Sequence, residues 1–92
     1  MKSRTAARFR RALRELPPQV RRSARRAYLT FQRDPNHPSL RLKKVHQTLP
    51  VFSVRVSLGY RALGSLEGDC MVWFWIGPHA QYDRLVTQMR RA

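Results

Sequence analysis

The stretch Val51–Asp83 leaves few choices for how this chain folds. It reads VFSVRVS, LG, YRALGSL, EGD, CMVWFWI, G and then PHAQYD. Runs rich in β-branched and aromatic residues, punctuated by glycine-bearing turns, are strands joined by hairpins. Along Val51–Ser57, Phe52, Val54 and Val56 share one face, while Ser53, Arg55 and Ser57 share the other. Along Tyr60–Leu66, Tyr60, Ala62, Gly64 and Leu66 alternate with Arg61, Leu63 and Ser65.

The turn between these two strands sets which side chains meet. A two-residue turn at Leu58-Gly59 opposes Ser57 to Tyr60 and carries Arg61 onto the Val54/Val56 face, where burying a charge is costly. A three-residue turn, Ser57-Leu58-Gly59, opposes Val56 to Tyr60 instead and sets Arg55 beside Arg61 on the other face. Gly59 then takes the left-handed last turn position. The three-residue turn is the expectation. Like charges facing each other across a strand pair repel, and an anion between them relieves the repulsion.

Glu67-Gly68-Asp69 is the next turn, and Cys70–Ile76 is nearly all apolar, as a central strand covered on both faces would be. Trp73 and Trp75 are expected to point the same way, into the core. Gly77-Pro78 is expected to break the strand. Residues 79–91 carry Tyr82, Leu85, Val86 and Met89 at helical spacing and form a last helix.

Upstream, Ala6, Phe9, Leu13 and Leu16 make a helical stripe over residues 4–16, with Ser3 or Thr5 as the cap. Pro17-Pro18 ends that helix and opens the next, over residues 18–33, which turns Val20, Ala24, Ala27, Tyr28 and Phe31 inward. Arginines fill the outer faces of both. Asp34–Ser39 is a loop by its proline and asparagine content, and Leu40–His46 alternates as a fourth strand. The expected fold class is α+β: a single domain over residues 1–92, with an N-terminal αα-hairpin packed on a four-stranded antiparallel sheet and a C-terminal helix.

Charge narrows the partners. Lys and Arg number 19 against 5 Asp and Glu, a net charge of +14. That excess suits an anionic partner, nucleic acid or an acidic protein. No apolar run is long enough to span a bilayer, and the N-terminus lacks the apolar core of a signal peptide. Cys70 is the only cysteine, so an internal disulfide is excluded and a cytoplasmic location is expected. His37, His46 and His79 lie in separate segments without metal-ligand spacing.

The runs FSVRVSLGYRALG and VWFWIGPHAQYDRL, preceded by a basic αα-hairpin and DPNHPSLRLKK, resemble the RelE/ParE superfamily of toxins from bacterial type II toxin–antitoxin modules. The G-x-H-x-x-Y-D ending, Gly77 to Asp83, is similar to that of the RelE- and HigB-like ribosome-dependent mRNA interferases. The resemblance implies a toxin that enters the ribosomal A site and cuts mRNA there. The 2′-hydroxyl attacks the adjacent phosphate, giving a 2′,3′-cyclic phosphate and a 5′-hydroxyl, with no metal and no cofactor. It also implies two partners: a cognate antitoxin, and the ribosome with its mRNA.

Within that family pattern, Arg55 matches the basic residue of the central hairpin, and Arg61 the arginine after the Gly-Tyr turn. His79 takes the place of the basic residue after the last strand. Tyr82 matches the phenolic or aromatic residue that stacks on the nucleotide or assists proton transfer. Ser53 stands where well-known RelE members carry a lysine, so the base is sought among Lys43, Lys44 and His46. These three, with Arg41, are the candidate RNA contacts. Asp83 follows Tyr82 at a helix start, where negative charge is favourable. ParE-like members share the scaffold but poison gyrase without nuclease chemistry, which leaves a protein-binding inhibitor as the alternative. A purely RNA-binding relic is a third reading.

Overall fold

The sheet is mixed rather than purely antiparallel. In a computed structural model of the chain, which describes residues 1–91, it has five strands in the order β1-β5-β4-β3-β2. The strands are β1 (Lys2–Thr5), β2 (Lys43–Lys44), β3 (Val51–Ser57), β4 (Tyr60–Glu67) and β5 (Cys70–Pro78). The helices are α1 (Ala7–Arg14), α2 (Pro18–Arg33) and α3 (His79–Arg91). A short 3-10 turn occupies Pro38–Leu40. The α+β class, the helical hairpin, the antiparallel run β2-β3-β4-β5 and the closing helix are as expected.

β1 is the departure. The helix expected from residue 4 begins at Ala7, and Lys2–Thr5 pairs in parallel with β5. A four-residue polar strand has no periodicity to betray it. Its support is non-local: the Trp73 indole donates to Ser3 Oγ at 2.8 Å, the Tyr28 hydroxyl to the Ser3 carbonyl at 3.0 Å, and the Ala6 amide to the Trp73 carbonyl at 2.9 Å. The strand expected over 40–46 is also shorter. Only Lys43 and Lys44 join the ladder, because Arg41 adopts a left-handed conformation (φ 48°, ψ 46°) after the 3-10 turn and interrupts the extended chain. Leu40 and Val45, each 1% exposed, pin the two ends of this segment.

Helices cover both faces of the sheet. On one face, Phe9, Ala24 and Phe31 of α1 and α2 pack on Val54, Ala62, Met71, Trp73 and Ile76. Phe31 meets Trp73 edge-on, with ring centroids 5.1 Å apart and planes at 83°. Burying a side chain of that size stabilises by about 1.5–3 kcal/mol, and the edge-on pairing adds about 1 kcal/mol. On the other face, Tyr82 and Val86 of α3 pack on Val45, Val51 and Leu63. Pro17-Pro18 separates α1 from α2 as the proline positions require.

Two bulges set which side chains reach which face. On β5 the register slips at Phe74: Leu63 pairs with Trp75, but Gly64 pairs with Trp73. Trp73 and Trp75 therefore do not point the same way. Trp73 joins the α1/α2 core and Trp75 packs toward α3. Gly64 is what admits the large residues beside it, since a Cβ there would stand 2.7 Å from Trp73 Cε3 and 2.8 Å from Met71 Sδ.

On β3 the slip falls at Val56: Arg55 pairs with Arg61, and Ser57 with Tyr60. The expected opposition of Arg55 and Arg61 holds, but its cause differs. The turn is the two-residue Leu58-Gly59, and neither residue has positive φ. Such a turn matches strand twist poorly. The extra residue at Val56 absorbs the mismatch and keeps Arg61 off the α1/α2 face. Gly77 and Pro78 likewise do not break β5. They pair with Arg61 and Tyr60, so the strand runs directly into α3.

Candidate functional site

The site forms where three elements converge: the β3–β4 turn, the end of β5 and the first turn of α3. The His79 amide donates to the Gly59 carbonyl at 2.9 Å, which ties the start of α3 to that turn. Because Pro78 pairs with Tyr60 and Gly77 with Arg61, the residues after β5 are delivered beside Arg61 by ladder geometry. A sequence reader sees a gap of 18 positions between Arg61 and His79; the hairpin closes it.

Arg61 is half-buried and heavily committed. Its Nη1 donates to the Ser57 carbonyl at 2.9 Å, the Tyr60 carbonyl at 3.0 Å and, more weakly, the Leu58 carbonyl at 3.3 Å. One edge of the guanidinium is thus spent on holding the turn. Burial first, and then the facing charge of Arg55, push its pKa below the ordinary arginine value. Arg41 acts in the same sense, while Tyr82 and Asp83 oppose it. Arg41 thus adds a third cation to the field at Arg61. No carboxylate lies within ion-pair distance of Arg41, Arg55 or Arg61 among the described residues. A cluster of cations with no carboxylate in ion-pair contact, and only Asp83 acting on Arg61 from farther off, can take an anion.

His79 is exposed, and its ring stacks on Tyr82 with centroids 5.7 Å apart and planes at 18°. Its Nε2 lies 3.7 Å from Asp83 Oδ1, one helical turn on. Tyr82 itself is only 5% exposed, and its hydroxyl donates to Ser53 Oγ at 3.0 Å. Ser53 is the buried polar residue of the core, 2% exposed. The layers run from inside to outside: Ser53, Tyr82, His79, with Asp83 at the side. Asp83 is the member that sequence reasoning passed over as a helix-terminus charge. Its i, i+4 spacing from His79 was the available signal.

The other expected contacts scatter. Lys43 is the Cα partner of Ser53 and shares its face, on the α3 side of the sheet. Lys44 is the partner of Phe52 on the opposite face and donates to the Gln47 carbonyl at 3.4 Å. His46 is committed to its own loop, where Nδ1 accepts from the Thr48 and Leu49 amides at 3.2 and 3.0 Å. Of the four, Lys43 shares the face of Ser53 and Arg41 acts by charge on Arg61, whereas Lys44 lies on the opposite face and His46 is held by its own loop.

Three comparisons with known proteins bear on this arrangement. The RelB–RelE antitoxin–toxin complex from Methanococcus jannaschii superposes with a TM-score of 0.70 at 18% identity, covering 87% of this chain and 95% of that one. The RelE–RelB complex from Pyrococcus horikoshii OT3 gives 0.71 at 15% identity, covering 87% and 96%. Isolated RelE from E. coli gives 0.62 at 15% identity, covering 95% and 96%. At these identities the likeness is one of fold. A comparison with curated protein sequences finds no significant match. A sequence profile of the ParE-like toxin domain matches residues 18–84, which run from the start of α2 through the first turn of α3. The chain therefore belongs to the ParE-like toxin domain family, within the RelE/ParE superfamily.

Proposed function

We propose that this protein is the toxin of a type II toxin–antitoxin module and that it cuts mRNA on the ribosome without a metal ion. The observation that carries the reading is the uncompensated cluster of Arg41, Arg55 and Arg61 set beside the exposed imidazole of His79. Cleavage by the neighbouring 2′-hydroxyl moves one proton off that oxygen and delivers one to the departing 5′-oxygen. As the 2′-oxygen bonds to phosphorus, the phosphoryl group gains negative charge that cations stabilise. Arg55 and Arg61 serve as those cations. His79 serves as the proton-transfer group, oriented by Asp83 on one side and by the Tyr82 ring beneath. Tyr82, with its ring covered and its hydroxyl bound to Ser53, acts by positioning His79. Lys43 projects from the face that Ser53 occupies and is the basic group best placed to stand in for the lysine absent at position 53.

Ribosome docking follows from charge. Every arginine of α1 and α2 is exposed, so the αα-hairpin presents a continuous basic back to ribosomal RNA. The antitoxin reading is supported by a separate feature. An apolar groove of about 680 Å³ lies between the helical hairpin and the sheet, lined by Phe9, Leu13, Tyr28, Leu29 and Val56, with Arg10, Arg21 and Arg25 among its polar edges. An amphipathic acidic segment of an antitoxin suits that lining. The site of action is then the cytoplasm.

The second reading is a gyrase poison, favoured by the ParE-like description of the matching family. Primer extension on a defined mRNA, with and without ribosomes, separates the two. Cuts that appear only with ribosomes, at a fixed place within codons, support the nuclease. Growth arrest without any cut moves the assignment to a protein target.

A further inference from the structure

Beside the site, β3 has an open edge. β2 pairs only with Ser53 and Phe52, so the strand beyond Val54 has no ladder partner on that side. α2 and the Pro38–Leu40 turn close over this edge and leave a cleft of about 440 Å³. Its charged lining residues are Arg26 from α2 and Arg55 from β3, with no carboxylate among the described residues that line it. Arg55 precedes the bulge at Val56, and bulges are a common means of redirecting neighbouring side chains.

The hydroxyls around the cleft sort into spent and free. Thr30 Oγ1 donates to the Arg26 carbonyl at 2.9 Å, and Ser39 Oγ pairs with His37 Nδ1 at 2.8 Å. Ser23 Oγ accepts from Arg26 Nη2 at 3.4 Å and keeps its own proton to donate. The cleft thus offers two arginines and one hydroxyl with a free proton, and the Ser23 hydroxyl is the one side-chain acceptor that either arginine has among the described residues. That donor set fits a singly charged tetrahedral anion.

Arg55 is shared: it lines this cleft and also faces Arg61 across the ladder. Arg55 is thus the link between Arg61, its ladder partner, and Arg26, which lines the cleft with it. A ligand with a charge at each successive unit can use that link, whereas an isolated anion fills one place. We propose that the Arg26–Arg55 cleft binds the backbone phosphate of the RNA strand next to the one that is cut, and so sets the direction in which the strand crosses the site. This inference rests on the reading of the Arg61–His79 site as an RNA-cleaving site.

The test uses the full chain and an RNA that cannot be cut, with the 2′-oxygen at the cleavage position methylated. Single phosphates on either side are replaced in turn by uncharged methylphosphonates. Affinity is read by fluorescence anisotropy for the unaltered chain, R26Q and R22Q, after thermal melts confirm that the variants fold. Arg22 is an exposed α2 arginine outside the cleft. The expected result is that one flanking replacement weakens binding to the unaltered chain and to R22Q by about tenfold and leaves R26Q, already weakened to a similar extent, unchanged. The proposal is overturned if R26Q stays as sensitive to that replacement as the unaltered chain, or if no flanking phosphate matters. Equal RNA binding by R26Q and the unaltered chain also overturns it, and reassigns the cleft to an acidic protein segment. Because the probe is not cut, the result stands apart from whether the chain proves to be a nuclease.

Discussion

The two sides of the sheet carry the same kind of charge and handle it in opposite ways. Along β1, Lys2 lies 3.5 Å from Asp69 in the turn before β5, and Arg4 lies 3.7 Å from Glu67 at the end of β4. Along β3 and β4, Arg55 and Arg61 face each other, Arg41 acts on Arg61 and Arg26 lines a cleft with Arg55, and among the described residues none of the four has a carboxylate within ion-pair distance. The chain has only five acidic residues, and two of them stand at the β1 side. A cation with a carboxylate beside it is satisfied by the fold; a cation without one raises the free energy of the empty protein and lowers it when an anion arrives. The placement of acids, more than that of bases, is what sets the two sides apart.

That contrast can be broken at several points. The largest expected effect is on cleavage. His79→Ala is expected to lower single-turnover cutting by about 10²–10⁴-fold, and Arg61→Lys, which keeps the charge but loses the planar fork, by about 10²-fold. Thermal melts of both should stay close to the unaltered chain. Full activity in either variant would remove the residue from the site.

Charge reversal compares the two sides directly. Arg55→Glu is expected to weaken binding of an uncleavable RNA by tenfold or more, roughly, and to flatten its salt dependence. Lys2→Glu, on the satisfied side, should change affinity by less than about twofold, since the exposed pair there is screened. Equal losses would mean that only net charge matters.

Tyr82→Phe distinguishes support from contact. Removing the hydroxyl leaves Ser53 buried without its partner, at a cost of about 1–2 kcal/mol in a chemical-denaturation midpoint. Cutting should fall only modestly, because the ring under His79 remains. A loss as large as that of His79→Ala with unchanged stability would place the Tyr82 hydroxyl in the reaction itself. Smallest of all, Asp69→Asn is expected to cost well under about 1 kcal/mol, measurable by the same denaturation.

Much of the geometry of the candidate site was readable along the chain because its signals are local. Alternation over Val51–Ser57 and Tyr60–Leu66, with the cost of burying Arg61, was enough to oppose Arg55 and Arg61. The spacing Gly77, His79, Tyr82 and Asp83 placed a basic and a phenolic group on one helix start. What they do there was not readable. Tyr82 sits on both the inner stripe of α3 and the motif, and only packing decides that its ring lies under His79 with its hydroxyl on Ser53.

Residue order alone settles the helical hairpin, with its proline break and basic back, the order of the three long strands and the final helix. Each follows from a period or a turn within a few neighbouring residues. Tertiary structure alone decides the rest. β1 exists because β5 has an open edge and Trp73 and Tyr28 reach Ser3. Trp73 and Trp75 part company because β5 bulges against Gly64. The facing arginines survive a two-residue turn because β3 gains a residue at Val56. A bulge shifts side chains by one position and so reverses the faces that alternation assigns. Its cause lies in the partner strand and the turn, not in the residues that it moves.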